Sequence, residues 1–377
     1  MKGREAVISS LINENVEHYF MVNAERIIGL NVSSELSGRL RSINATFEPG
    51  AGFMGLVYAR VTGKVGVNMF VGGPGVLGAV SPITMAYIES DPLVVITVTP
   101  PRNIAYKNAH HALFYDSDQL NVFRSITKKQ FKVTCVTQLP HIISRAFYEA
   151  LSNRPGPVYI EIPADVLEED LSEFNYVKLN LSKITPLDSE VNEVLKILKG
   201  AEKPVILAGR GVTIANAESE LLTLAELLDI PICTTIMGKG IVSPKHPLYG
   251  GLAAGKLGDD VANELISKAD VVLAIGVRFS ELGVGRYSMR ISGKLIHVLV
   301  SSEEIGRVFK PDLAIVADAK EFLNKLLKLI DEEKIIIKRG SKELLNSLWI
   351  KYAEEYQERS IETDLIDPSD IVKVLRE

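Results

Sequence analysis

The sequence predicts an α/β protein built from two three-layer domains with mainly parallel sheets, followed by a short helical tail. Three observations carry this. Short β-branched runs alternate with helix-period segments almost throughout, the pattern of parallel strands joined through covering helices. The strand-like runs are continuously apolar rather than alternating, as strands buried on both faces must be. The length of 377 residues exceeds one ordinary domain, and the alternation pauses once, in a charged and irregular stretch from Glu168 to Asp188.

In chain order, buried strands are predicted at Val65–Val71, Leu93–Val98 and Val158–Ile162 in the first half. The second half predicts Val205–Ala208, Ile232–Ile236, Val271–Val277, Leu295–Val300 and Ala314–Ala317. Amphipathic spacing predicts helices over Val191–Leu198, Glu218–Leu228 and Glu321–Ile330. Pro49 suits a first helical position, so another helix opens beside Glu48 and runs to about Arg60. The domains are placed at residues 1–167 and 189–331, with a linker at 168–188 and a tail at 332–377. The tail holds one helix around Trp349 and Tyr352. Pro368 and Ser369 then open a last helix with Ile371, Val372, Val374 and Leu375 on one face. That face packs on its own chain or on another.

Composition narrows the function classes. A net charge of −5, without a long basic run, argues against nucleic acid as the main partner. The apolar runs are strand-length, far below the roughly 20 residues that cross a bilayer, and the N-terminus has no secretory pattern. Cys135 and Cys233 are too few for a disulfide scaffold or a zinc cage, and the adjacent His110 and His111 have no carboxylate or thiol cluster with them. The expectation is a cytoplasmic, soluble protein acting on a small molecule, with no metal held by its own residues.

Two motifs carry candidate chemistry. Gly73-Pro74-Gly75-Val76-Leu77-Gly78 follows a strand and opens a helix, which fits a dinucleotide turn or simply a tight strand-to-helix turn. The next strand ends Thr99-Pro100-Pro101-Arg102 without the ribose-binding acid, so only an NADP-type oxidoreductase using Arg102 would fit. Glu48 at the start of its helix is either a capping acid or a working carboxyl.

An ordered series of matches decides between these readings. Phe47-Glu48-Pro49-Gly50-Ala51, Tyr58-Ala59-Arg60, Thr62 to Val67 and Gly73-Pro74-Gly75 resemble the pyrimidine-binding (PYR) domain of thiamine-diphosphate enzymes. The similarity is to the acetolactate synthase, pyruvate oxidase and oxalyl-CoA decarboxylase family. It continues through Asp91 to Ile96, Lys128, Arg154 to Val158 and Ile162 to Asp165. Pro204 to Gly209, Gly238-Lys239-Gly240, His246-Pro247-Leu248 and Ala269 to Phe279 resemble the family's Rossmann-like central domain.

The resemblance implies that Glu48 hydrogen-bonds N1′ of the cofactor's aminopyrimidine. This favours the imino form that removes the thiazolium C2 proton. It places Val71, Gly73, Pro74 and Gly75 around the pyrimidine and Tyr115 beside the substrate. Relatives bind FAD or ADP in the central domain, which points to Gly209, Arg210, Gly211, Gly276 and Arg278, although Leu299 and Ser301 stand where acids would take the ribose. Other positions depart from the pattern. Met21-Val22-Asn23-Ala24 replaces a Gly-x-Pro-Gly loop, Phe47 a common histidine, Gly78 a common asparagine, and Phe114-Tyr115-Asp116 the Phe-Gln-Glu of acetolactate synthases.

Family members hold the diphosphate through Mg²⁺ on a Gly-Asp-Gly motif with a downstream Asn, and this sequence contains no Asp-Gly pair. The resemblance therefore implies a split lyase or carboligase acting on 2-oxo acids. This chain supplies the activating glutamate, a separate subunit supplies the Mg²⁺-diphosphate site, and the PYR domain self-associates. The alternative is a non-catalytic or regulatory homologue that keeps only the fold.

Overall fold

The continuous apolar runs form the centres of two parallel sheets. A computed structural model describes residues 1–105, 117–358, 371, 372, 374 and 375. The chain divides into two compact units, Met1–Lys183 and Ile184–Glu377.

In the first unit the strands are β1 (His18–Met21), β2 (Arg41–Asn44), β3 (Gly66–Val71), β4 (Leu93–Thr99), β5 (Lys129–Lys132) and β6 (Pro157–Pro163). Its helices are α1 (Gly3–Asn13), α2 (Ile28–Ser37), α3 (Glu48–Thr62), α4 (Pro74–Gly78), α5 (Val80–Glu89), α6 (Arg102–Ala105), α7 (Gln119–Arg124), α8 (Leu139–Leu151) and α9 (Ala164–Glu168). The strand order is β2-β1-β3-β4-β6-β5, paired in parallel throughout. Met69, Ile96 and Ile160 pack with α1 and α8 on one face, while Phe70, Val95 and Tyr159 pack with α3, α5 and α7 on the other. This is the expected three-layer arrangement. The order reverses between β1 and β3, and the carboxyl ends of strands at such a reversal are where open α/β sheets place ligands.

β1, β2 and β5 lie outside the predicted runs. Each has four residues, and β2 and β5 are partly exposed edge strands written in polar letters, so neither leaves an apolar signature.

The stretch read as a linker is partly fastened to the first unit. Lys2 pairs with Asp170 at 2.9 Å, Arg4 with Glu168, and Arg102 with Glu169. Leu171 is buried and donates its N–H to Met1 O, and Ser144 Oγ donates to Val177 O. The Glu168-Glu169-Asp170 run is thus ion-paired. It marks the edge of a domain through its partners rather than through solvation.

The second unit repeats the plan with β7 (Pro204–Ala208), β8 (Ile232–Thr234), β9 (Tyr249–Leu252), β10 (Val271–Ile275), β11 (Lys294–Leu299) and β12 (Leu313–Val316). Its helices are α10 (Asp188–Gly200), α11 (Arg210–Ile214), α12 (Glu218–Leu228), α13 (Asp260–Lys268), α14 (Ala319–Glu332) and α15 (Ser341–Glu358). The order β12-β11-β10-β7-β8-β9 reverses between β7 and β10. β9, with two glycines in four residues, is the strand that sequence reading missed here. No helix among the described residues is long and apolar enough to cross a membrane.

The helix α15 docks within the second unit. Leu345 and Leu348 are buried, Trp349 Nε1 donates to Tyr249 O at 3.2 Å, and Lys351 and Tyr352 both reach Glu264 on α13. Lys268, Tyr352 and Lys351 together hold the Glu264 carboxyl at about 2, well below the ordinary 4.5. A lowered carboxyl contributes stability that is complete above its ordinary value and lost as pH falls through the folded one. The stability gap between wild type and Glu264→Gln should be full at neutral pH, narrow below about pH 4.5 and close near about pH 2. Urea titrations followed by the emission of Trp349, the single tryptophan, measure that gap.

Candidate active site

The site of interest forms where the first sheet reverses. β2 leads through Ala45, Thr46 and Phe47 into α3, and β3 leads through Gly72 and Gly73 into α4. Phe47 is the extended N-cap of α3, so Glu48 is its first residue and Pro49 its second, one position later than the sequence suggested for the proline. The Glu48 carboxylate therefore sits at the positive end of a 15-residue helix.

The second wall is made by glycine. Gly73 has φ +69°, which turns the chain from β3 into α4 with Pro74 as the first helical residue. A Cβ on Gly75 would lie 2.8 Å from Val71 Cγ1 and 3.6 Å from Glu48 Oε1. A Cβ on Gly78 would lie 3.4 Å from Glu48 Cβ and 3.8 Å from Oε2. Both carboxylate oxygens thus face bare backbone. Glu48 is half-buried, and among the described residues its carboxylate has no hydrogen-bond or ion-pair partner. A capping acid would bond its own helix N–H groups, and this one does not.

The structure brings Glu48, Val71, Gly73, Pro74 and Gly75 together. Tyr115 lies outside the described residues, as do Phe114, Asp116, His110 and His111. Arg102, the residue an NADP reading requires, is bound elsewhere. Its backbone N–H and Nε donate to the two Asp165 carboxylate oxygens at 3.0 and 2.7 Å, and its other nitrogens reach Thr134 O and Glu169. The guanidinium fastens the start of α6 to α9 instead of awaiting a phosphate.

Sequence reading missed an asparagine chain at the same end of the sheet. Tyr19 Oη donates to Asn31 Oδ1 at 2.7 Å, Asn31 Nδ2 to Asn23 Oδ1 at 3.3 Å, and the Asn23 N–H to Asn44 Oδ1 at 2.9 Å. These bonds tie the Met21 to Ala24 loop to the end of β2, four residues before Glu48. The substitution of that loop against the family pattern was the available signal.

In the second unit, Gly209, Gly211 and Gly276 meet at the β7–β10 reversal. Gly276 has φ +65°, and a Cβ on Gly211 would lie 2.5 Å from Gly276 Cα. The N–H groups of Gly209 and Gly211 donate to Ile275 O and Gly276 O at 2.9 and 3.1 Å. Arg278 pairs with Glu304 at 3.1 Å, and β11 ends at Leu299 without an acid. The glycines serve strand–helix packing. These two donors are already engaged, which does not fit a pyrophosphate cradle on Gly209 and Gly211.

Comparison with known proteins follows this geometry. Residues 1–122 match the family described as thiamine pyrophosphate enzyme, N-terminal TPP binding domain, and residues 191–326 match thiamine pyrophosphate enzyme, central domain. The chain belongs to the thiamine pyrophosphate enzyme family. It is 35% identical over 392 residues to a probable acetolactate synthase large subunit of Methanococcus aeolicus, covering 100% of this chain and 64% of that protein. The acetolactate synthase large subunit of Buchnera aphidicola subsp. Schizaphis graminum is 31% identical over 386 residues, covering 100% and 66%. The probable large subunit of Methanocaldococcus jannaschii is 35% identical over 336 residues, covering 87% and 56%. The chain spans less than two thirds of the length of each of these curated relatives. Within this family the coenzyme is thiamine diphosphate, and in this chain the Glu48 carboxylate stands against the bare backbone of Gly75 and Gly78.

Proposed function

We propose that this chain is the cofactor-activating half of a thiamine-diphosphate-dependent lyase or carboligase of acetolactate synthase type, acting on 2-oxo acids. The observation that carries the reading is the half-buried Glu48 carboxyl, unpartnered among the described residues and faced by the bare Gly75 and Gly78. When bound, thiamine diphosphate supplies a carbon nucleophile that adds to a carbonyl and stores the electrons of C–C cleavage. Glu48 would hold a proton toward the ring nitrogen N1′. Gly73 and Gly75 would keep the ring's approach free of side chains, and Val71 would offer it an apolar surface. Phe47, where histidine is common in relatives, removes one ionisable group from the pocket rim and leaves Glu48 as the acid there.

The Mg²⁺-diphosphate site is assigned to a separate subunit carrying Gly-Asp-Gly and its downstream Asn. Self-association is assigned to α3 and α5. Phe53, Met54, Val57 and Val61 on α3 and Met85 and Ile88 on α5 are exposed, an apolar face beside the Glu48 pocket that supports pairing with a second copy. The test is calorimetric titration of thiamine diphosphate and Mg²⁺ into this chain, into a candidate partner with the Gly-Asp-Gly motif, and into their mixture. The mixture should bind and turn over pyruvate while this chain alone does neither. Tight binding by this chain alone overturns the split assignment.

A further inference from the structure

A second carboxyl, buried in the same sheet, has been given no role. Glu161 is on β6, opposite Thr97 of β4, and is 7% exposed. Its Oε1 is 3.1 Å from Tyr159 Oη, and Tyr159 Oη is 3.4 Å from Gln119 Oε1 at the start of α7. Tyr159 and Gln119 are buried, and the Tyr159 ring stacks on Phe123 with centroids 4.6 Å apart. The hydrogen-bond chain ends at Gln119, which packs against the turn without a hydrogen bond to it. A Cβ on Gly72 would lie 3.4 Å from Gln119 Oε1 and 3.3 Å from Val98 O, and the Gly72 N–H donates to Val98 O at 2.8 Å. Gly72 is the residue before the left-handed Gly73 that aims α4 at Glu48.

With the Gln119 amide oxygen facing the phenol, hydrogen-bond polarity favours a protonated Glu161. A phenol has one proton, and here its oxygen faces the acceptor oxygens of Glu161 and Gln119, with the Thr97 hydroxyl also beside it. With Glu161 protonated, its O–H donates to Tyr159 Oη and the Tyr159 O–H donates to Gln119 Oε1, so every member of the chain is satisfied. With Glu161 ionised, the phenol proton turns to the carboxylate and the buried Gln119 oxygen loses its donor. We propose that Glu161 is a positioning residue, a neutral carboxylic acid that acts through Tyr159 and Gln119 to fix the Gly72–Gly75 turn facing Glu48. Its place beside the coenzyme pocket rests on the reading of Glu48 above.

Burial raises the Glu161 carboxyl above its ordinary value, and Asp118 at the α7 N-cap adds to this. Tyr159 and Lys132, the latter in register with Glu161 on β5, oppose it. A group raised in the folded state contributes order that is complete below its ordinary value and lost as pH rises through the folded one. Ionisation should therefore loosen the turn.

Hydrogen-exchange mass spectrometry on the full chain tests this without any coenzyme. The readout is the peptide covering residues 70–78, corrected for intrinsic exchange, between about pH 5 and about pH 8. Wild type should lose protection of that peptide as pH rises, while a peptide covering β7 stays constant. Glu161→Gln, which keeps a donor, should keep full protection at both pH values. Glu161→Leu and Tyr159→Phe should lose it at both. If Glu161→Leu fails to fold, Tyr159→Phe carries the comparison alone. A pH response that persists in Glu161→Gln, or is absent in wild type, overturns the proposal. So does a flat response from a flipped Gln119 amide that donates Nε2–H to Tyr159 and needs no acid. Glu48→Gln should leave the exchange pattern as in wild type, so failure here leaves the Glu48 reading standing, and the reverse also holds.

Discussion

Glu48→Gln in the assembled enzyme should lower turnover by about 10²–10⁴-fold, the range general acid–base groups supply. Gln keeps the side-chain volume and can still meet a ring nitrogen with its amide N–H, but it cannot deliver a proton. The loss should therefore fall on kcat, with coenzyme affinity measured by calorimetry changing by less than about tenfold. Stability should stay within about 0.5 kcal/mol of wild type, because the carboxylate has no partner among the described residues to lose. That combination separates chemistry from folding. A structural capping acid would show the opposite, with a lower melting temperature and unchanged turnover. Unchanged turnover in an active complex would favour the alternative in which the chain keeps the fold alone and a partner carries the chemistry.

The approach of Glu48 to the Gly73–Gly75 turn was legible in the sequence because it is made of backbone features. Glycine and proline at Gly73, Pro74 and Gly75 and the Glu48-Pro49 helix start announce conformation directly. The central strands were legible for a related reason: burial on both faces of a parallel sheet leaves an apolar run, as in β4, β7 and β10. What escaped is what depends on long-range pairing. β2 and β5 are edges whose polar residues are stabilised by one neighbour each. Arg102 read as free for a phosphate until Asp165 and Glu169, more than sixty residues away, closed on it. The Glu168-Glu169-Asp170 run suggested a linker because its cationic partners lie far off in sequence at Lys2, Arg4 and Arg102. The same limit hid Glu161, since nothing local tells that Gln119 will sit over Gly72.

Arg60→Met should destabilise the first unit by about 3 kcal/mol, because it leaves a buried carboxylate without its main counter-charge. Arg60 closes α3, the helix that Glu48 opens, and Asp91 precedes β4. Nη2 and Nε of Arg60 meet the two Asp91 oxygens at 2.6 and 3.3 Å, a two-pronged contact with the Asp91 side chain at 0% and Arg60 at 28% exposure. Met retains most of the packing of the arginine stem, so the loss reports the charge. For a unit of this size the midpoint of thermal melting should fall by about 6–12 °C. Adding Asp91→Asn to Arg60→Met removes the carboxylate charge and should recover part of that loss, which a double-mutant cycle on melting data resolves. A drop below about 1 kcal/mol for the single variant would place this pair with ordinary exposed ion pairs. The consequence reaches the pocket through geometry. A helix anchored at its last turn against the start of β4 has a fixed direction, and its first residue then meets α4 in one orientation. Arg60→Met should accordingly lower activity only in proportion to the unfolded fraction at assay temperature, recovered on cooling, whereas Glu48→Gln should show no such recovery.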